Sequence, residues 1–77
     1  MNITLNGTPH TTEHTTLKDL IQDTIGTELT HEGTATDGTK LGIAAALDRT
    51  VVPRSQWATT PITDGQTIDI ITAVQGG

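Results

Sequence analysis

Few groups in this chain are equipped to do chemistry. It contains no cysteine, which excludes disulfides, thiolate metal sites and thiol nucleophiles. Its imidazoles are His10, His14 and His31. The first two are placed on an edge strand facing one side and the third in a loop, an arrangement that favours solvated side chains over metal ligation. The other group of interest is the carboxylate of the last residue, Gly77, which follows Gly76. With glycine near 7% of residues, a terminal pair arises by chance in about one chain in two hundred. Here the pair follows a buried-strand pattern without a linker, which favours a working tail over an idle end. Two residues without Cβ atoms accept φ of either sign and let a chain end enter a narrow, water-poor site on another protein, where a bulkier residue would jam. The pair is not a phosphate loop, because it lacks the following helix and the lysine that such loops use.

The elements that must carry this tail can be read from patterning. Thr67 to Ala73 sets Ile68 and Ile70 on one side and Ile71 and Ala73 on the other, as expected of a central strand buried on both faces. At the other end of the chain, Asn2 to Leu5 alternates and runs into Asn6-Gly7, a pair that tolerates the positive φ angles of a type I′ hairpin turn. Thr8 to Glu13 should return antiparallel, and Pro9 makes that an edge strand. Thr16 is a candidate N-cap with Asp19 three residues on, and Leu17, Leu20, Ile21 and Ile25 recur at helical spacing before Gly26. That pattern predicts a helix from Leu17 to Ile25 closed by a left-handed glycine.

Thr27 to Thr39 is polar and glycine-rich and reads as a surface loop. Leu41 to Leu47 reads as a strand with the larger residues on one face. Asp48-Arg49-Thr50 is a turn, Val51-Val52 a short strand halted by Pro53, Arg54 to Thr60 an irregular turn holding Trp57, and Pro61 to Gln66 a loop. The order is ββαβββ, an α+β arrangement in which a mixed sheet of four to five strands wraps round one helix. Residues 1–73 form the domain, and residues 74–77 a flexible tail ending in Gly-Gly.

Composition narrows the function. A chain of 77 residues, 32% hydrophobic with one aromatic residue, builds one thin core of limited stability and leaves no room for a deep enclosed active site. An independent enzyme is not expected. The net charge of −5, from four Lys plus Arg against nine Asp plus Glu, repels nucleic acid and anionic membranes. No apolar run approaches the roughly 20 residues needed to span a bilayer, and the N-terminus lacks the order of a signal peptide. A cytoplasmic location is expected.

Val51 to Gly77, VVPRSQWATTPITDGQTIDIITAVQGG, closely resembles the C-terminal third of the thiamine-biosynthesis sulfur carriers, the ThiS family. The resemblance rests on Val52-Pro53-Arg54-Ser55 followed by Trp57, on the Asp64-Gly65 turn before the last strand, and on the ending Ala73-Val74-Gln75-Gly76-Gly77. The Asn6-Gly7 hairpin and the Thr16-Leu17-x-x-Leu20-Ile21 helix start extend it to most of the chain, and Gly26 to Leu41 departs from it with a longer, threonine-rich loop. The resemblance implies a ubiquitin-like β-grasp fold and a monomeric carrier that catalyses nothing itself. It implies further that an E1-like adenylyltransferase activates Gly77 with ATP, that a sulfur donor protein or sulfide converts the adenylate to a thiocarboxylate, and that thiazole synthase receives the sulfur. No cofactor is bound in this scheme; the ATP belongs to the activating enzyme.

Val74, Gln75 and Gly76 would be the segment threaded into partners. Arg54 and Trp57 are candidate partner-surface residues, although Trp57 also suits the core and Arg54 a solvated cation. Three other readings stay open: a molybdopterin-synthase carrier, which Pro53-Arg54-Ser55-x-Trp57 and Ala-Val-Gln fit less well; a ubiquitin-like modifier joined through Gly77 to lysines; and a plain β-grasp binding module.

The surface is acidic and threonine-rich, with Lys18 and Lys40 as its lysines, a balance suited to a high-salt cytoplasm that screens self-repulsion. The melting temperature is therefore expected to rise as KCl is taken from millimolar to molar. A fall in the same titration would count against the reading.

Overall fold

The computed structural model describes residues 1–38 and 42–72. Strands β1 (Asn2–Leu5) and β2 (Thr8–Thr11) precede helix α1 (Leu17–Ile25). Strands β3 (Ile43–Leu47) and β4 (Thr50–Val52), a 3-10 helix (Arg54–Thr59) and strand β5 (Thr67–Thr72) complete the order. The sheet runs β2-β1-β5-β3-β4, with β1 and β5 parallel and the other neighbours antiparallel. This is the mixed sheet round one helix that the patterning predicts, with β2 at one edge and β5 at the centre.

Local chemistry explains the elements. Asn6 and Gly7 take φ values of 51° and 80°, the left-handed pair of a type I′ turn, so β1 and β2 meet through two residues. The β3–β4 turn uses the same conformation without glycine, with Asp48 at φ 49° and Arg49 at φ 72°. Asp48 is held there by the start of β5: its amide donates to the Thr67 carbonyl at 2.7 Å and its carboxylate accepts from the Thr67 amide at 2.9 Å. Helix α1 begins where the Thr16 hydroxyl accepts from the Asp19 amide at 3.3 Å, and it ends at Gly26, at φ 71°, whose amide reaches the Gln22 carbonyl at 2.9 Å. Both caps occupy backbone groups that the helix ladder leaves unpaired.

Leu17, Leu20 and Ile21 of α1 are fully buried, and they share one core with Ile3, Ala45, Ile68 and Ile70 of the sheet. Trp57, 1% exposed, also belongs to this core, its ring nitrogen donating to the Val52 carbonyl at 3.0 Å. That bond is what lets an indole sit in the interior. Arg54 to Thr59 is a 3-10 helix where an irregular turn is expected, because Pro53 ends β4 and Trp57 must turn back under the sheet.

Three further expectations are corrected. The Thr27–Thr39 stretch is not purely a surface loop: Leu29 and Ala35 are buried and bridge to each other, and the Leu29 amide is held by the Gln22 side chain at 2.9 Å. Two apolar residues six positions apart inside a polar run carry no periodicity, yet they fill a gap that α1 alone leaves. β5 is central but is not buried on both faces, since Ile68 and Ile70 are covered while Ile71 is 60% exposed. His14 does not lie on β2, which ends at Thr11; it sits 3.6 Å from the Asp23 carboxylate of α1. Leu41, Thr39 and Ala73 fall outside the described residues. Among those described, no helix is long and apolar enough to cross a membrane.

Shortening Leu20 to alanine should cost about 3 kcal/mol, because the site is fully enclosed. Thr16→Ala should cost about 1 kcal/mol through the lost cap. Urea unfolding followed by Trp57 fluorescence measures both, and a Leu20 loss no larger than the Thr16 loss would contradict the packing.

Candidate functional site

The site suggested by the sequence lies at the end of β5. Val74, Gln75, Gly76 and Gly77 fall outside the described residues, so the geometry concerns the root from which they follow. β5 is paired on both sides over its first half: Thr4 and Leu5 of β1 align with Thr67 and Ile68, and β3 runs alongside from Leu47↔Ile68 to Ile43↔Thr72. Beyond β1 the support continues through a side chain. The Asn6 amide donates to the Ile68 carbonyl at 2.9 Å, and the Asn6 side-chain oxygen accepts from the Ile70 amide at 2.7 Å. Asn6 is thus both a turn residue and a strut on β5. The first role is legible from Asn-Gly; the second needs the parallel β1–β5 pairing.

The face of the sheet away from α1 is open and apolar around this root. Cross-strand partners share a face, so Ile71 lies beside Ala44, and Ala46 lies between Asp69 and Val51. Val51 is 70% exposed and Ala44 is also exposed. The sequence pattern places Ile71 on a second buried face of β5 and assigns no such layer to Ala44, Ala46 or Val51. Their alternation with core residues shows two faces but not which of them is covered.

Arg54 and Trp57, the two candidate partner-surface residues, separate in role. Trp57 is interior and offers no surface, which corrects that expectation. Arg54 is partly exposed: its guanidinium carbon stands 5.5 Å from the centre of the Trp57 ring, and Nη2 donates to the Ile43 carbonyl at 3.3 Å. Since Ile43 is the register partner of Thr72, the cation stands at the tail end of the sheet. The carboxylates of Asp48 and Asp64 lie at the other end, bonded to the amides of Thr67 and Asn2 at 2.9 and 2.6 Å. Gly33 is a contributor that sequence reasoning passes over as a turn former. It is buried at φ 82°, and a Cβ there would lie 2.6 Å from the Arg54 carbonyl and 3.1 Å from Trp57 Cε3. Only a residue without a side chain lets the 27–38 loop lie against that pair. Among the described residues, no three His, Cys, Asp or Glu side chains are grouped to hold a metal.

A model of the ThiS family matches residues 3–77. Among solved structures, the chain is similar to the crystal structure of a thiamine biosynthesis protein (ThiS) from Geobacter metallireducens, with 20% sequence identity, 100% of each chain covered and a TM-score of 0.67. At that identity the likeness speaks for the fold, the β-grasp arrangement of a five-stranded sheet on one helix. No curated protein matches the chain. The family match takes in both the hairpin strut on β5 and the whole tail, so the chain belongs to the ThiS family, small sulfur carriers of thiamine biosynthesis rather than enzymes.

Proposed function

We propose that this protein carries sulfur as a thiocarboxylate on Gly77, made by an E1-like adenylyltransferase and delivered to thiazole synthase. The observation that carries the reading is the placement of β5. The strand that leads into Val74-Gln75-Gly76-Gly77 is the central one, clamped by β1, Asn6 and β3. Five residues follow Thr72 in the sequence, and five extended residues reach about 17 Å. A short segment rooted in a firmly held strand would suit insertion into a partner, since little chain would have to be ordered on entry.

The chemistry requires the partner. A carboxylate resists substitution because its leaving group would be oxide, so ATP first converts it to an acyl-adenylate with release of pyrophosphate. A sulfur nucleophile then attacks the acyl carbon and AMP departs as a stable anion. Hydrosulfide gives the thiocarboxylate directly. Without cysteine in the carrier, no internal thiol competes for the activated acyl group. Gly76 and Gly77 keep the approach to the acyl carbon free of side chains. The open face at Ala44, Val51 and Ile71 borders the strand that feeds the tail, so a protein taking the tail would cover this face as well. Arg54, at the same end of the sheet, would meet an acidic rim of that partner.

Intact-mass measurement after incubation with ATP, sulfide and the host activating enzyme tests the proposal. The expected result is one oxygen exchanged for sulfur at Gly77, absent when Gly77 is deleted. No exchange with a demonstrably active enzyme would overturn it, and high-molecular-weight conjugates in place of thiocarboxylate would point to a protein modifier. Ile71→Asp should raise the KM of the activating enzyme for the carrier about tenfold, as for loss of a buried interface anchor, with the melting temperature little changed. An unaltered KM would remove the open face from the docking surface.

A further inference from the structure

The end of β5 extends past both of its supports. On one side β1 gives way to the turn, and its last hold on β5 is Asn6 on the Ile70 amide. On the other side, β4 pairs with β3 only as far as Ala45↔Val52. What remains is a two-stranded tongue, Ile43 and Ala44 beside Ile71 and Thr72, with the tail following from its tip.

The register shows how thinly this tongue is held. The Asp48 amide donates to the Thr67 carbonyl. Hydrogen-bonded rungs of an antiparallel pair recur at every second position, which places them at Ala46↔Asp69 and Ala44↔Ile71. The last pair among the described residues, Ile43↔Thr72, is then a non-bonded rung. The Ile43 carbonyl faces the side of β4, and the Thr72 amide faces the side that β1 has left. Among the described residues one rung closes this two-stranded ribbon, and a ribbon so closed frays readily in water.

Continuing the β3–β4 register past Ala45↔Val52 puts residue 54 opposite Ile43. The backbone does not follow that continuation, because after Pro53 the chain turns into the 3-10 helix. The side chain of Arg54 then reaches the carbonyl that its backbone would have met, with Nη2 3.3 Å from the Ile43 oxygen. Stacking on Trp57 and the Gly33 notch fix where that guanidinium stands.

We infer that Arg54 is a positioning residue for tail activation: its guanidinium replaces the missing rung of β4, locks the last pair of the β3–β5 tongue, and so holds the root of the tail in line with β5. The functional half of this inference rests on the carrier reading above. Loosening the tongue lengthens the segment that a partner must order, which weakens productive insertion without altering the chemistry at the acyl carbon.

Arg54→Met retains the aliphatic stem and removes the donor, whereas Arg54→Lys restores a cationic donor. In amide hydrogen exchange on the full chain, Arg54→Met should speed Ala44 and Ile71 about tenfold and leave Ala46 and Asp69 unchanged, and Arg54→Lys should recover most of the protection. In ATP–pyrophosphate exchange with the activating enzyme, Arg54→Met should raise the KM for the carrier about tenfold at constant kcat, since one or two more residues must be ordered on binding. Unchanged exchange at Ala44 and Ile71, or faster exchange throughout the sheet, would overturn the lock. Local fraying with an unchanged KM would overturn the positioning role. A wild-type chain that supports no pyrophosphate exchange would count against the carrier reading instead, and the hydrogen-exchange result would still decide the lock.

Discussion

A single short helix has to cover a sheet wider than itself, and much of the molecule follows from that mismatch. Nine residues of α-helix are about 13 Å long, while five strands span about 19 Å from edge to edge. Leu17, Leu20 and Ile21 therefore seal the middle of one face and leave its margins to others. Trp57 from the 3-10 helix, Leu29 from the long loop and Ile62 from the segment before β5 join the same core. None of these belongs to a strand or to α1, yet each is at most 3% exposed. Segments that look like connections are the walls of the core.

The same shortage of covering elements leaves the other face of the sheet bare. In a larger domain a second layer would lie there; in this one Ile71 and Val51 meet solvent. On the function proposed above, this uncovered apolar face beside β5 is the surface that association with another protein would use. Aspartates at the far end of the sheet and arginine at the tail end give it a direction along which a partner can be oriented.

The sequence was most legible where the determinants are neighbours in the chain. The first hairpin follows from Asn6-Gly7, and α1 has the expected limits because its cap, its apolar stripe and its closing glycine all lie between Thr16 and Gly26. Features that need several strands assembled were not legible. Whether the Ile71 face is covered depends on how many helices exist, which a period of two does not encode. Arg54 acquires its place only after Pro53 has ended β4 and Ile43 has been registered against Thr72, and Gly33 matters only once Trp57 stands behind it. For the tail the balance is reversed. The chemistry proposed for it rests on Gly76-Gly77 and on the family alone, while its root geometry needed the sheet.

The Asn6 contact with Ile70 joins positions 64 residues apart, and the Asp64 bond to the Asn2 amide spans 62. The chain must therefore emerge from the ribosome as far as Ile70 before the first hairpin finds its partner strand. Pairings of such long range slow folding, and a nascent or truncated molecule has no finished sheet from which to offer its terminus. The sheet is thus finished only once β5 has been made, so its two halves fold as one cooperative unit rather than in turn.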